Sequence, residues 1–304
     1  MDIDKFDVDL VYTWCDGSDP KFRNKKAVAA GTKISNHDEL NGIHHIMQAD
    51  ELMYSLRSVQ KNLKWINNIW IIVDEQVPSF INLNNPKIHI VDLKDIFPAD
   101  AIPNFNTNAI ETVMGRIKGL SEYFILASDD MFANKPLTKD YFFTSDRKPI
   151  IHVRKTTLGV KYWYALISYT CNAEITGKPN FKILQDFHNM TPHVKSDYND
   201  IVENSKYKKV FEATIYSQFR SFFNIQRIFI YMLLEKVHKV VFKKQRTITA
   251  IVDQSYCTQP FAWIITLMSP NLFCINARRH QTKNEIKKIR KWLSKKFPEK
   301  SQFE

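Results

Sequence analysis

A chain of 304 residues, 44% hydrophobic and 13% aromatic, can bury a substantial core and does not have the composition of a disordered segment. It has only seven glycines, no G-x-G-x-x-G and no Walker-type loop, so a glycine-rich phosphate cradle is excluded and phosphate recognition falls to side chains, helix N-termini or a metal ion. The net charge of +11 suits anionic partners, without choosing among phosphorylated small molecules, nucleic acid and an acidic membrane surface.

In chain order, Val8–Thr13 (VDLVYT) is a β-prone run that feeds the turn-rich WCDGSDP. Residues 37–63 carry Leu52, Leu56, Val59 and Leu63 at helical spacing. NIWIIVDEQVP holds a buried strand at Ile69–Val73, and KIHIVDLKDIF a further one at Ile88–Val91. NAIETVMGRIKGL predicts a helix closed by Gly119, and YFILAS a strand that ends at Asp129–Asp130. Strand, helix, strand, strand, helix, strand is an α/β pattern, expected to form a mostly parallel, Rossmann-like sheet flanked by helices. Ligands in such sheets gather at the carboxyl ends of the strands. Asp16, Asp74, Asp92, Asp129 and Asp130 all follow predicted strands.

Beyond residue 150 the pattern is mixed. IIHVRK and WYALIS read as strands, and residues 207–245 as helical with a broad apolar face. A final helix at roughly 281–297 sets Ile286, Ile289, Trp292, Leu293 and Phe297 on one side, with lysines and arginines opposite. Cys15, Cys171, Cys257 and Cys274 show no CxxC spacing, which argues against a zinc knuckle or a disulfide framework and predicts reduced, cytoplasmic thiols. The N-terminal MDIDKFDVDL lacks the features of a signal peptide. The run Ile228–Leu234 falls far short of the ~20 residues that span a bilayer. A soluble protein is expected.

The Asp129–Asp130 pair, at the end of a buried strand, offers the hard oxygen ligands that suit Mg²⁺, with Mn²⁺ as an alternative. Taken alone, an Asp-Asp pair is more often a solvated turn with a helix-capping aspartate. Longer segments discriminate. VDLVYTWCDGSDP, ELMYSLRSVQKNLKWINNIWIIVDEQVPSFINLNNPKIHIVDLKDIFP and FNTNAIETVMGRIKGLSEYFILASDDMF closely resemble the first two conserved regions of the Stealth family, densely over residues 7–135. That family includes bacterial capsule-polymer phosphotransferases and the animal GlcNAc-1-phosphotransferase that marks lysosomal enzymes. A weaker resemblance continues through TPHVKSD, SQFRSFF and NLFCIN.

The resemblance implies a GT-A-like variant of the parallel sheet. Residues 1–150 would form the nucleotide-sugar-binding core, and 151–304 a mixed to helical part that completes the site. It implies transfer of a hexose 1-phosphate from a nucleotide-sugar donor, by resemblance a UDP-sugar, onto a glycan acceptor. By position, Asp9 and the loop carrying Trp14, Asp16, Gly17 and Asp19 fall at the nucleotide-sugar end, with Arg57, Arg116 and Asn276 as further binding residues. Glu111 stands where the family has a glutamate implicated in activity, and Asp129–Asp130 where it has the two acids of an Asn-Asp-Asp, here preceded by Ser128. Arg220 matches an arginine expected on a helix, suited to neutralise a transferring phosphoryl group. The family's His-x-Pro histidine is replaced by Met190 in HNMTPHV, so the general base falls to His188 or His193, with His188 favoured. Ala277 stands where relatives often have aspartate.

A conventional metal-dependent glycosyltransferase would use the same acids, and a non-enzymatic anionic-polymer-binding module is the reading from another class. Nucleic acid is not an expected partner, because the basic residues concentrate on the terminal helix and do not alternate with aromatics along a groove. That helix is expected to pack its apolar stripe on the domain and to offer peripheral contact at the inner face of a bacterial plasma membrane as a secondary role.

Overall fold

The structure is a computed structural model that describes residues 5–31, 49–157, 182–221, 223–244, 265, 267–275 and 282–304. Its centre is a five-stranded sheet in the order β3-β2-β1-β4-β8. The strands are β1 (Val8–Thr13), β2 (Ile69–Val73), β3 (Ile88–Asp92), β4 (Tyr123–Ser128) and β8 (Thr191–Val194). The first four run parallel, and β8 adds antiparallel to β4, with Phe124 opposite His193. Parallel strands joined through crossovers are buried on both faces, which is why these runs are apolar almost throughout.

Alternation along the strands divides the core. Leu10, Tyr12, Ile69, Ile71, Ile125 and Ala127 face one layer, where α2 (Glu51–Asn62) contributes Leu52, Leu56 and Val59. Val11, Trp70, Ile72, Phe124 and Leu126 face the other. There lie α3 (Thr107–Val113), α4 (Lys195–Asn204), α5 (Lys208–Ile215) and α6 (Arg227–Lys236). α1 (Pro20–Ala30) follows β1; Asp19 caps it by accepting from the Lys21 N–H, and Pro20 occupies the first turn.

β5 (Met131–Ala133) pairs antiparallel with β10 (Leu272–Cys274), so a segment near residue 272 reaches the end of β4. β6 (Ile150–Thr157), β7 (Lys182–Asp186) and β9 (Val241–Lys244) form a separate three-stranded sheet. α7 (Lys283–Lys296) starts in a capping box between Thr282 and Glu285 and buries Ile289 and Leu293, with Phe297 just beyond it, against Phe132 and Phe273. Its apolar stripe is used by the fold, Lys296 lies over the Phe273, Trp292 and Phe297 rings, and the other lysines are left outward.

The α/β expectation holds, with mostly parallel strands in the central sheet. Several boundaries move. α3 ends at Val113, one 3-10 turn (Met114–Arg116) follows, and Gly119 comes later at φ +82, with Trp70 3.1 Å from where its Cβ would stand. The helix stops early because Gly115 lies against α4, where the Asn199 amide donates to its carbonyl at 3.0 Å and its Oδ1 lies 2.0 Å from where a Cβ would stand. The stretch 207–245 is not one helix but α5, a loop, α6 and the strand β9. Buried Asn106 and Asn224 hold that loop: the Asn106 amide donates to the Ser217 carbonyl and to Asn224 Oδ1, both at 3.0 Å. The helix expected from residue 37 is described only from Glu51, and WYALIS lies outside the described residues.

Candidate active site

The chain crosses over β1 between β3 and β4, which makes the carboxyl ends of β1 and β4 the switch point of the sheet. Thr13 and Ser128 are in register there. The loop Trp14–Asp19 leaves one strand, and Asp129–Asp130 leaves the other. Gln76, just after β2, stitches the first loop in place: its Oε1 accepts from the Asp16 N–H at 2.8 Å, and its amide donates to the Asp16 carbonyl (3.1 Å) and to Asp19 Oδ2 (2.9 Å). Trp14, Asp16, Gly17 and Asp19 line an open cavity of about 870 Å³, together with Lys21, Arg23, Gln76 and, from α7, Lys283 and Arg290. Of the other strand-end acids, Asp74 is paired with Lys25 at 2.5 Å, and Asp92 caps the turn Leu93–Asp95.

Asp130 anchors a second group of residues. Its carbonyl accepts from the Ile275 N–H at 2.9 Å, and its Oδ2 accepts from the Cys274 thiol at 3.1 Å. Its Oδ1 is buried, accepts no hydrogen bond among the described residues, and lies 3.6 Å from His188 Nε2. Partial desolvation opposes protonation of the half-exposed His188, but Asp130 and, more weakly, Glu111 outweigh it and raise its pKa from the usual imidazole value. Glu111 is itself buried, which raises its pKa, while Arg227, His188 and Arg220 act in the opposite direction. Asp130, His188, Glu111 and Arg220 therefore share one electrostatic neighbourhood. They do not line the large cavity. Arg220 belongs to the loop between α5 and α6, not to a helix as expected.

Arg227, at the start of α6, is the residue the sequence did not single out. Its guanidinium donates to Asp186 Oδ2 (2.6 Å), Glu111 Oε1 (3.2 Å) and the Phe187 carbonyl (3.3 Å). One cation thereby ties α3 to the β7–β8 turn that carries His188. An arginine heading the apolar run IFIYMLL was the available signal. Glu51 was also missed. Burial first, then Asp129 and more weakly Asp130, push its pKa up to about 8. Carboxylate oxygens suit a hard divalent cation, but among the described residues the side chains whose ligand atoms converge within 4.8 Å are Asp130, His188 and Cys274.

Other expected positions are occupied differently. Asp9 is fully buried at the opposite end of β1, where its carboxylate accepts from Trp70 Nε1 (2.8 Å), the Ser121 N–H (2.9 Å) and the Asn68 N–H (3.1 Å). It welds strands together and lies away from the switch point. Arg57 forms a two-pronged pair with Glu304, both bonds 2.7 Å, and donates to the Phe297 carbonyl, so it fastens the C-terminal segment to α2. Arg116 pairs with Glu203 at 3.1 Å on a part-exposed surface. Asn276 and Ala277 lie outside the described residues.

His193 is 1% exposed, stacks on Phe124 (4.9 Å) and meets Tyr198 edge-on (5.1 Å), with Nε2 3.3 Å from the Tyr231 hydroxyl. Burial and then Arg227 hold its pKa well below the usual value. A base with a lowered folded-state pKa leaves the unfolded chain to take up the proton first. Its contribution is complete above about pH 6.5 and is lost as pH falls below that, by about 1.4 kcal/mol per pH unit at most. The melting temperature of His193→Phe should consequently fall less between pH 7.5 and 5.5 than that of the parent chain. Equal falls would show that His193 is not held neutral.

The topology, together with acids and an imidazole at the switch point, defines an α/β protein with a carboxylate-rich site at its strand ends. Residues 6–32 match the Stealth protein conserved region 1, and residues 45–151 match conserved region 2. The chain thus carries both of these conserved regions of the Stealth family. It is 38% identical over 144 residues to the exopolysaccharide phosphotransferase cps2G of Lactiplantibacillus plantarum, covering 47% of this chain and 41% of that protein. It is 28% identical over 262 residues to the capsular polysaccharide phosphotransferase WcwK of Streptococcus pneumoniae, covering 83% and 74%. The chain spans under half the length of the exopolysaccharide phosphotransferases that it matches. Among solved structures, the inositol-1-phosphate CTP transferase of T. maritima aligns over 95% of this chain and 96% of its own, at 11% identity and a TM-score of 0.42.

Proposed function

We propose that the chain is a sugar-1-phosphate transferase that moves a hexose 1-phosphate from a nucleotide-sugar to a glycan hydroxyl in capsular or exopolysaccharide synthesis. The observation that carries this reading is the approach of His188 to Asp130 at the carboxyl end of β4, with Glu111 acting electrostatically on that imidazole, in a chain whose relatives are named polysaccharide phosphotransferases. The donor's nucleotide end would enter the cavity beside Trp14–Asp19, where Lys21 and Arg23 supply positive charge. Asp129 and Asp130, with Glu51 nearby, would hold Mg²⁺ or Mn²⁺. The chemistry that such an ion supplies when bound is charge neutralisation at the diphosphate oxygens.

The acceptor oxygen would bond to the β-phosphorus while the bond from that phosphorus to the bridging oxygen breaks. The nucleoside monophosphate then leaves with the bridging oxygen. His188 takes the hydroxyl proton at Nε2, and its neighbours Asp130 and Glu111 stabilise the imidazolium that results. Arg220 offsets negative charge on Glu111 and on the transferring group. Arg227 acts at one remove, by positioning the turn that bears His188.

Incubation with UDP-linked sugars, Mg²⁺ and a glycan acceptor should release UMP. Release of UDP would reject phosphoryl transfer in favour of attack at the anomeric carbon, as in a conventional glycosyltransferase. No helix among the described residues is long and apolar enough to cross a membrane. The exposed lysines of α7 would give electrostatic contact with an anionic membrane surface. Replacing Lys287, Lys288, Lys291 and Lys295 with glutamate should abolish flotation with anionic liposomes in low salt, and unchanged flotation would remove the idea.

A further inference from the structure

Asp130, His188 and Cys274 each offer a ligand atom, and these atoms all lie within 4.8 Å of one another. The carboxylate is held from both sides: the thiol at 3.1 Å from Oδ2, the imidazole Nε2 at 3.6 Å from Oδ1. Oδ1 is buried and, among the described residues, accepts no hydrogen bond, so the His188 approach leaves it able to bind an ion. Among the described residues Cys274 forms no disulfide, and β10 sets it opposite Met131. One oxygen, one imidazole nitrogen and one sulfur form a donor set that Mg²⁺ does not select. It is the kind taken by Zn²⁺ and its tetrahedral analogues, with a fourth position open to water.

We infer that these three residues form a zinc-type site, which places a soft-metal switch across the candidate active site. As the metal–sulfur bond forms, the thiol gives its proton to solvent, and the metal engages Asp130 and His188 at the same time. Zn²⁺ would thus withdraw both the carboxylate assigned to the hard cation and the proposed base, and would inhibit. Only this inhibition rests on the phosphotransferase reading; the binding itself does not.

The test uses the full chain and Co²⁺ as a spectroscopic substitute for Zn²⁺, with neither donor nor acceptor present. One equivalent should produce a thiolate-to-cobalt charge-transfer band in the near ultraviolet together with intense visible bands of tetrahedral cobalt, both bleached by one equivalent of Zn²⁺. Cys274→Ser should lose the charge-transfer band, and Cys15→Ser should keep it. His188→Gln changes a side chain 41% exposed and should weaken cobalt binding by more than about 10-fold, with an unchanged circular dichroism spectrum. Absence of the band in the parent chain, or a band that survives Cys274→Ser or disappears with Cys15→Ser, overturns the site. A normal cobalt spectrum without zinc inhibition of nucleotide release would place the error in the catalytic roles given to Asp130 and His188 instead.

Discussion

Asp130→Asn should reduce nucleotide release roughly 100- to 1000-fold, the scale seen when one group that stabilises developing charge is removed, while leaving the protein folded. The two halves of this expectation come from different observations. Asp130 is the acid on which the site converges: Cys274, Ile275 and His188 all meet it. Asparagine keeps an oxygen for the Cys274 thiol but loses the charge that raises the His188 pKa and that would bind a divalent cation. Stability should be unchanged or slightly higher, because Glu51 then has one fewer neighbouring acid. Measuring initial rates beside thermal unfolding separates the two. A variant that retained more than about a tenth of the activity, or one that unfolded, would show that Asp130 is a structural acid.

The second large effect is expected at Arg227, and it falls on stability. Arg227→Met should cost about 3–5 kcal/mol, because Glu111 and Asp186 are left buried without their shared cation. The side chains of all three are 8–13% exposed, so solvent screens little of this loss. Lysine should restore only part of it, since one ammonium cannot span a carboxylate on α3, a second at the end of β7 and the Phe187 carbonyl. Adding Glu111→Gln to Arg227→Met should recover stability relative to Arg227→Met alone, because the remaining orphaned charge is reduced. Urea unfolding of the four proteins reads this directly. A loss below about 1 kcal/mol for Arg227→Met would mean that water reaches the acids and that the pairing is incidental.

Much of the central sheet was legible in the residues. VDLVYT, IWIIV and YFILAS are short, apolar and bounded by turn residues, and each is a strand of the parallel sheet. Local chemistry also marked the strand ends, since acids at the ends of buried strands are costly unless they cap, pair or bind something. What local chemistry could not tell was which of these each acid does. Asp74 and Asp92 are engaged by Lys25 and by a turn, whereas Asp130 meets groups more than 50 residues away.

The same limit separates His188 from His193. They lie five residues apart, yet strand β8 turns His193 into the core against Phe124, while the preceding turn presents His188 to Asp130. Asp9 and Arg57 carry charges that suit a ligand, and the fold uses both as internal fasteners. Arg227 gave only the faint signal of a cation leading an apolar helix. Strand identity depends on the side chains of a few consecutive residues, so sequence alone determines it. Which charge faces which depends on packing between distant segments, and only the tertiary structure brings β10 and the β7–β8 turn to Asp130, and the acids of α3 and β7 to Arg227 of α6.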